Sequence, residues 1–427
     1  MRTSIAVSAL VLCAVILVGP RARADGLIRD GVGAISTGRG GTNIGHSDNA
    51  AVILDNPAGM VGTRGCGLFE LGVDTLFTDL DYRDADPNDV DGKLKAFPAP
   101  ELGYIRKSAD GDFAVGLGLF IPAGFGAEYD MVNPIVGPSL YKSVGVLGKI
   151  LPGVAYRLTD RLSVGGTFGV AISHAELEGP FFLQTGALAG VPTQFDLQAT
   201  GAAPTGSLGF QYELTEATTL GLAYISESRF RMDGSLGVNV FGLAPFPVNS
   251  DFDAEVDLVW PRSLGVGFKH DLCRHRRISA DVIWYDWSHA FDRLDLQLTN
   301  SSNPLFTGML GPVIRDTFPL DWHDTVSLRL GYEWAPTLAD VYRLGYVYHE
   351  SPVPSTTLNP YVDGVLEHAF SVGWSRRRPR GILNLAYQYS FGPERNVVDS
   401  AIVGGDFDNS TFEAQAHWFS VSWLVPL

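Results

Sequence analysis

The chain has 427 residues, of which only 18% are charged, and its net charge is −16. This acidic balance argues against a nucleic-acid-binding protein, which needs a basic face, and three cysteines are too few for a small disulfide-bonded scaffold. With 45% hydrophobic and 11% aromatic residues, the chain is also too apolar for a disordered protein.

The first 24 residues have the pattern of a secretory signal peptide. Arg2 precedes an apolar stretch, Ile5 to Val18, that is too short to span a membrane, and Ala22-Arg23-Ala24 is a typical cleavage site. The mature chain is therefore expected to begin at Asp25 and to be exported. After residue 24, no stretch of about 18 consecutive apolar residues occurs, which excludes a spanning helix.

Residues 25–65 are rich in glycine, serine, threonine and asparagine, yet they include the apolar run Ala50–Leu54. A short helix is predicted from Ser47 or Asp48 through Leu54, ending before Pro57. A loop-rich stretch of this length ahead of the first strand is unusual. We interpret it as an N-terminal plug, or hatch, that fills the lumen of a barrel.

Residues 66–427 carry a repeated two-residue alternation. The runs that begin at Phe113, Leu162 and Leu383 place large apolar residues on one parity and mainly Gly, Ser, Ala, Asn and Gln on the other. This period predicts β-strands. A second face of small and uncharged residues is typical of a barrel lumen, whereas the second face of a soluble sandwich carries many charges. Similar runs begin near Thr218, Ser263, Ile278, Val326, Tyr342 and Phe370.

Short turns alternate with longer connections along this part of the chain. The short turns fall at 107–112, 159–160, 214–217, 272–276, 335–340 and 377–380. The longer connections fall at 79–95, 127–145, 178–195, 233–251, 300–318, 350–365 and 392–411. The pattern predicts an all-β fold, a transmembrane antiparallel β-barrel of about 14 strands, with both termini in the periplasm of a Gram-negative bacterium. All eight tryptophans lie in or beside the strands, where girdle residues of the membrane interface are expected.

Two motifs carry a family resemblance: Asp48–Met60, which contains Asn-Pro-Ala-Gly, and Phe120–Tyr129, which contains Pro122 and two glycines. They resemble, respectively, the end of the hatch and the kinked third strand of FadL-type outer-membrane transporters of long-chain fatty acids. Further matches are Leu151–Arg157, Trp260–Gly265, Asp281–Ser288, Trp322–Thr325, Arg343–Tyr346 and Ser351–Pro354. The resemblance covers nearly the whole mature chain. The family also includes TodX-like carriers of aromatic hydrocarbons.

The resemblance implies an outer-membrane carrier for hydrophobic molecules, with long-chain fatty acids as the first choice of cargo. Aromatic hydrocarbon uptake, or a non-transport barrel such as an adhesin or a lipase, is the alternative. No G-x-S-x-G, H-E-x-x-H or G-x-x-x-x-G-K-[ST] motif occurs, so an enzyme is not expected. Neither a cofactor nor a metal is expected. The expected partners are hydrophobic small molecules, outer-membrane lipid, lipopolysaccharide and the barrel assembly machinery, without nucleic acid, and the protein is expected to be a monomer.

Basic residues on the inward parity are the candidates for binding a fatty acid carboxylate, because ion pairing is stronger in a low-dielectric lumen than in water. These are Lys149, Arg157, Arg329 and Arg343. For each, the alternative is a structural ion pair with a lumen acid such as Glu101, Asp281 or Glu333, or with the plug.

Two backbone features are candidates for controlling the route of the cargo through the barrel. Asn56-Pro57-Ala58 is predicted to be a stiff gating point of the hatch, because Pro57 restricts both its own φ and the conformation of Asn56. Pro122, Gly124, Phe125 and Gly126 are predicted to kink the third strand and to open the barrel wall sideways, since proline cannot complete a strand ladder and glycine tolerates unusual φ values. A β-bulge that only adjusts curvature is the alternative.

Overall fold

The computed structural model describes residues 27–85, 88–186, 189–242, 248–362, 364–405 and 407–427. The predicted signal peptide and its cleavage site lie outside the described residues. Among the residues described, no helix has the length and apolarity needed to cross a membrane.

Fourteen main strands form one antiparallel sheet in the described part of the chain, and four of them are interrupted. The first six are β1 Gly67–Arg83, β2 Ala96–Lys107, β3 Phe113–Asn133, β4 Gly137–Thr159, β5 Leu162–Phe182 and β6 Pro192–Thr215. The interrupted strands are β7 (Thr218–Ile225 and Ser228–Val240), β8 (Val248–Trp260 and Ser263–Cys273), β9 (Arg276–Tyr285 and Arg293–Thr299) and β10 (Val313–Pro319 and Thr325–Trp334). The last four are β11 Asp340–Tyr348, β12 His368–Arg378, β13 Gly381–Phe391 and β14 Ser410–Pro426. Two three-residue strands, Asp89–Asp91 and Arg395–Val397, extend the connections.

The sheet closes into a barrel because β1 and β14 pair along their full length, from Leu68 opposite Pro426 to Arg83 opposite Thr411. Every other strand pairs with its sequence neighbour. Closure pairs the first strand with the last, as a sheet that spans a bilayer requires. The exposed parity carries large apolar residues, for example Phe168 and Leu344. The predicted fold class, an antiparallel barrel of 14 strands, is confirmed.

All six predicted short turns lie at one end of the barrel. The start of β1 and the end of β14 lie at the same end, which we call the short-turn end. Several of the predicted long connections are wrong in extent. The connection placed at 127–145 is largely a hairpin, because β3 and β4 pair as far as Asn133 opposite Gly137. The strands continue beyond the lipid-facing band, where their alternation includes charged residues such as Glu128 and Lys142.

The helices are short. They are α1 Ala34–Gly38, α2 Val52–Asp55, a 3-10 helix Pro57–Gly62, α3 Trp287–Ala290 and α4 Pro304–Leu310. The helix predicted from Ser47 or Asp48 begins only at Val52, although it does end before Pro57. Asp48 does not cap it, because both oxygens of the Asp48 carboxylate accept hydrogen bonds of 3.0 Å from the Arg39 guanidinium.

The segment before β1 lies inside the barrel. Residues 27–62 contact all fourteen strands, which is possible only from the lumen. One contact on each strand, in order from β1 to β14, is Asp74, Glu101, Ala123, Gly153, Gly165, Gln211, Gly221, Gly265, Asp281, Arg329, Gly345, Ser371, Gln388 and Trp418. Between residues 27 and 61 only Ile28, Ser47, Asp48 and Asp55 are less than fully buried. We call residues 27–65 the hatch segment.

Candidate ligand path through the barrel

An apolar chamber lies at the end of the barrel opposite the short turns. Its walls come mainly from β5 to β10, with Phe125 of β3, and its space, including the solvent at its mouth, is about 1520 Å³. Aromatic and aliphatic side chains dominate the lining, among them Phe195, Leu236, Phe252, Leu296 and Phe318. A chamber of this composition suits a ligand with a large apolar body.

The sequence did not predict this chamber, because the alternation of apolar outward and polar inward side chains reverses there. Small and polar residues were expected on the inward face along the whole strand. In the first part of β8, acidic residues such as Asp253 and Glu255 face outward while Phe252 and Val256 are buried inside. Beyond the lipid-facing band, water contacts the outer surface and the lumen holds the apolar side chains. The alternation of acids with apolar residues at 251–257 indicated this reversal, but its first residue fell within the connection predicted at 233–251.

An aromatic cluster formed by the strand interruptions lies at the base of the chamber. Trp287 and Phe291 follow the first part of β9, and Trp322 lies in the break of β10. The ring centroids of Trp287 and Trp322 are 4.9 Å apart, and those of Phe291 and Trp322 are 4.7 Å apart. Trp260, at the break in β8, stacks edge-on against Phe291 and lines both this chamber and the next cavity.

The expectation that all eight tryptophans form the interface girdle is therefore wrong. Trp260, Trp287 and Trp322 are buried, and Trp418 lies in the lumen with the Arg29 guanidinium 4.3 Å from its ring centroid. Trp287 and Trp322 lie within the interruptions of β9 and β10, where strand alternation does not apply, and Trp418 lies on the inward parity of β14.

A second cavity, with an empty volume of about 790 Å³, lies between the hatch segment and β3, β4 and β7 to β10. Charged residues from both sides line it. They are Arg29, Asp30 and Asp55 of the hatch segment, Lys149 of β4 and Arg329 of β10. The cavity is thus a polar site next to the apolar chamber, and Trp260 lines both.

Lys149 is the notable cation of this cavity. Its side chain is only 6% exposed, and no hydrogen-bond or ion-pair partner for its ammonium group occurs among the described residues. A buried ammonium group without a partner carries a desolvation cost that an anionic ligand would offset. Lys149 is therefore the member of the predicted cation set that is best placed to bind a carboxylate.

The other three predicted cations have protein partners. Arg329 donates to the carbonyl of Asp30, and to Tyr285 Oη and Ser327 Oγ at 3.0 Å each. The Arg343 Nε atom lies 2.7 Å from a carboxylate oxygen of Glu333.

Arg157 lies at the short-turn end, outside the lining of the chamber and the cavity. Its guanidinium is 3.5 Å from Asp112 and 3.9 Å from Glu213. The predicted alternative, an ion pair with a lumen acid, describes Arg343, whereas the partners of Arg157 are acids at the short-turn end. Arg329 both binds the hatch segment and lines the cavity.

A buried ionic network joins the hatch segment to the barrel. Arg39 binds Asp48, and its Nη1 atom lies 3.6 Å from Glu333. Glu333 also pairs with Arg277 at 3.0 Å and with Arg343. One ligand atom each from His46, Asp48 and Glu333 lie within 4.8 Å of one another. The three arginines already occupy these carboxylates, so the geometry favours ion pairs over a metal site.

Two inward-facing acids also bind the hatch segment, although the sequence did not predict this role for them. Asp281 accepts hydrogen bonds from the backbone N–H groups of Asn43 at 2.7 Å and Ile44 at 3.1 Å. Glu70 accepts one from Ala50 N–H at 2.8 Å. An isolated acid on the small-residue face of a strand could have indicated such a contact, because a buried carboxylate requires hydrogen-bond donors.

The hatch motif Asn56-Pro57-Ala58 packs against β5 and β6. The Asn56 amide donates to the carbonyls of Ile44 at 2.8 Å and Phe210 at 3.0 Å, and its side-chain oxygen accepts from Ala58 N–H. Gly209 and Gly165 allow this contact, because a Cβ atom at either would lie within 2.5 Å of Asn56 or Pro57. Movement of this motif would require these bonds to break.

The third strand is irregular at the predicted kink, as a β-bulge or a sharper bend would make it. The β3–β4 register shifts between Phe120 and Ala123, and the ladder between β2 and β3 covers only Leu102–Lys107 opposite Ala114–Leu119. The preceding part of β2, Ala96–Glu101, has β1 as its only described ladder partner. The wall therefore has a gap between β2 and β3.

The start of the hatch segment occupies the inner edge of the kink. Ile28 forms an antiparallel bridge with Ala123. Arg29 N–H donates to the Pro122 carbonyl at 3.0 Å, and Gly124 N–H donates to Leu27 at 3.2 Å. The Phe97 ring lies against Gly126, where a Cβ atom would approach it to 2.7 Å. Phe125 lines both the apolar chamber and a cavity behind the kink.

His46 and Asp55 give hatch docking opposite responses to pH. Burial and the nearby Arg39 charge lower the pKa of His46 to about 4, and burial raises the pKa of Asp55 to about 6. Between pH 6.5 and 4, His46 is protonated when the hatch is detached but neutral when the hatch is docked. This group therefore weakens docking as the pH falls. At pH values between its ordinary pKa and 6, Asp55 is protonated when the hatch is docked but ionised when the hatch is detached. This group therefore weakens docking as the pH rises toward 6.

Asp55→Asn should therefore make hatch docking more sensitive to acid. In single-channel recordings, lowering the pH from about 6.5 to 4.5 should raise the frequency of opening events more in this variant than in the wild type, because the compensating group is gone. The double variant His46→Gln, Asp55→Asn is the control, and it should lose the extra response. An identical acid response in Asp55→Asn and the wild type would contradict this assignment.

Together these features define a class: a closed outer-membrane barrel with a filled lumen, an apolar chamber and a break in its wall. The sequence pattern of the family described as outer membrane protein transport protein (OMPP1/FadL/TodX) matches residues 16–423. The chain therefore belongs to this family, whose members are transport channels for hydrophobic molecules in the outer membrane of Gram-negative bacteria.

Solved structures of this type have a similar fold. The chain is 20% identical to the Pseudomonas putida toluene transporter TodX, with a TM-score of 0.75 over 94% of this chain and 99% of TodX. It is 17% identical to a Pseudomonas aeruginosa FadL homologue, with a TM-score of 0.73 and coverage of 94% and 99%. The Ralstonia pickettii toluene transporter TbuX is 18% identical, with a TM-score of 0.72 and coverage of 93% and 99%. No curated protein sequence matches the chain.

Proposed function

We propose that this protein carries amphipathic hydrophobic molecules, with long-chain fatty acids as the first choice, from the apolar chamber to a lateral exit between β2 and β3. The observation that carries the proposal is Lys149, a buried cation without a partner among the described residues, in a cavity that adjoins an apolar chamber. The chamber accommodates an alkyl chain, and the ammonium group of Lys149 offers an ion pair to a carboxylate in a medium of low dielectric constant.

Release would proceed sideways into the membrane. Transfer of an alkyl chain into water costs about 25 cal/mol per Å² of apolar surface, so an exit into lipid is favoured for such a cargo. The gap beside Pro122, Gly124, Phe125 and Gly126 provides this route, and residues 27–29 cover its inner side. We place both termini in the periplasm, because short turns of outer-membrane barrels lie on that side.

A neutral aromatic hydrocarbon is the second candidate cargo. The apolar lining of the chamber favours it, since the lining offers few polar groups to a ligand. Lys149 distinguishes the two cargo classes. A carboxylate gains an ion pair there, whereas a neutral aromatic hydrocarbon gains only a weaker cation–π contact.

Lys149→Met should therefore reduce oleate uptake strongly and leave toluene uptake nearly unchanged. Methionine keeps the length and packing of the side chain while removing its charge. Uptake of radiolabelled oleate and toluene would be measured in cells with the wild-type protein, with the variant and without the protein. Arg157→Met, at the short-turn rim, is the matched control and should transport both compounds normally. A wild-type protein that takes up neither compound would contradict the proposed function, and an unchanged oleate rate in Lys149→Met would contradict the role of this residue.

A further inference from the structure

One sector of the rim at the short-turn end has an excess of basic residues. Three turns, 271–276, 335–340 and 376–380, lie side by side there. Ala335 N–H donates to the His275 carbonyl at 2.9 Å, and Arg377 N–H donates to the Ala339 carbonyl at 2.8 Å. The three turns together contain six arginines and two aspartates. The rest of the rim, at 106–113, 157–162 and 213–218, contains four basic and five acidic residues. The positive charge is thus concentrated on one side of an acidic protein.

The arginines of this sector are exposed and mostly without acidic partners. Arg376 lies 3.5 Å from Asp340, and no ion pair of the other five occurs among the described residues. On the opposite side of the rim, Arg157 pairs with both Asp112 and Glu213. Hence the charge of the sector is available to an external anion. We call the six residues the basic sector: Arg274, Arg276, Arg376, Arg377, Arg378 and Arg380.

A row of aromatic side chains lies next to the basic sector on the lipid-facing surface. Trp334 is opposite Arg276 in the β9–β10 register, Tyr342 is opposite Trp334, and Trp374 is opposite Tyr342. Trp334 is 44% exposed and Tyr342 is 45% exposed. Tryptophan and tyrosine prefer the headgroup level of a bilayer. Arg376 follows Trp374 by two residues on the same face, so its guanidinium lies at the depth of the lipid phosphates.

We propose that the basic sector binds the phosphodiester headgroup of an anionic phospholipid in the leaflet next to the short turns. A guanidinium forms paired hydrogen bonds with phosphate oxygens, and several unpaired arginines within one sector attract a negative headgroup more strongly than a zwitterionic one. Arg276, Arg376 and Arg378 occupy the outward parity beside the aromatic row. This position favours a lipid over an acidic soluble protein, which would approach the tips of the turns.

Fluorescence quenching by brominated lipids tests the proposal. Three tryptophans, Trp334, Trp374 and Trp423, share the parity of the exposed apolar residues at this side of the barrel. The barrel would be reconstituted in phosphatidylcholine that contains brominated phosphatidylglycerol or brominated phosphatidylcholine. We expect the wild-type protein to prefer the brominated phosphatidylglycerol by at least about threefold and to lose much of this preference at high salt.

The combined variant Arg276→Gln, Arg376→Gln, Arg378→Gln, Arg380→Gln should reduce the preference to about one. The control Arg106→Gln, Arg161→Gln removes two exposed arginines from the opposite side of the rim and should keep the wild-type preference. Heat-modifiable migration in gels confirms that each barrel has assembled. Equal quenching by both lipids in the wild type, or an unchanged preference in the combined variant, would overturn the proposal. Binding of an acidic periplasmic protein without any lipid preference would assign the basic sector to a protein partner instead.

Discussion

Deletion of residues 27–57 should convert the protein into an open channel. This part of the hatch segment contacts strands around the whole barrel, so its removal empties the lumen that it fills. The conductance of single channels in planar bilayers should rise by more than about tenfold, because a barrel of 14 strands without a plug has a water-filled lumen. The barrel should still assemble, since the ladders between neighbouring strands do not include hatch residues.

The charged lumen residues should tolerate this deletion. Asp281, Arg329 and Glu333 are buried against the hatch segment in the intact protein, but water would solvate them in an open channel. Arg39→Gln is a graded comparison, because it weakens the ionic network while the hatch remains. That variant should show brief openings rather than a constant high conductance. A deletion variant that assembles but conducts no more than the wild type would refute the role of the hatch as a plug.

Gly126→Leu should abolish uptake while leaving ligand binding intact. Because a Cβ atom at Gly126 already meets the Phe97 ring at 2.7 Å, a leucine there would fill the gap between β2 and β3. The chamber and Lys149 lie elsewhere, so a fluorescent fatty acid should still bind to the purified variant. Oleate uptake should fall to the level of cells without the protein, since the lateral route is closed.

Gly148→Leu is the matched control for this experiment. Gly148 lies in β4, and a Cβ atom there would have only the Ile172 carbonyl oxygen, 3.9 Å away, as a neighbour within contact range. A leucine at this position adds the same bulk to the barrel wall without touching the gap. Normal uptake by an assembled Gly126→Leu barrel would show that the cargo passes straight through the lumen, and the lateral route would be wrong.

The sequence by itself was enough to establish the barrel. Strand alternation and turn signals are local properties, and they located all six short turns and the number of strands. An irregularity at Pro122 was also predictable, because a missing N–H group and nearby glycines act on the backbone wherever they occur. The outline of the hatch followed from the contrast between residues 25–65 and the alternating strands.

The tertiary structure alone decided which cation lacks a partner within the described part of the chain. Lys149, Arg329 and Arg343 share the inward parity, but only the closed barrel and the hatch bring Glu333 to Arg343 and the Asp30 carbonyl to Arg329. Ion pairing depends on residues that are far apart in the chain, so alternation cannot show it. The same reason applies to the chamber. Whether a strand face meets lipid, water or the lumen depends on its height in the membrane, and a two-residue period reports only that the two faces differ.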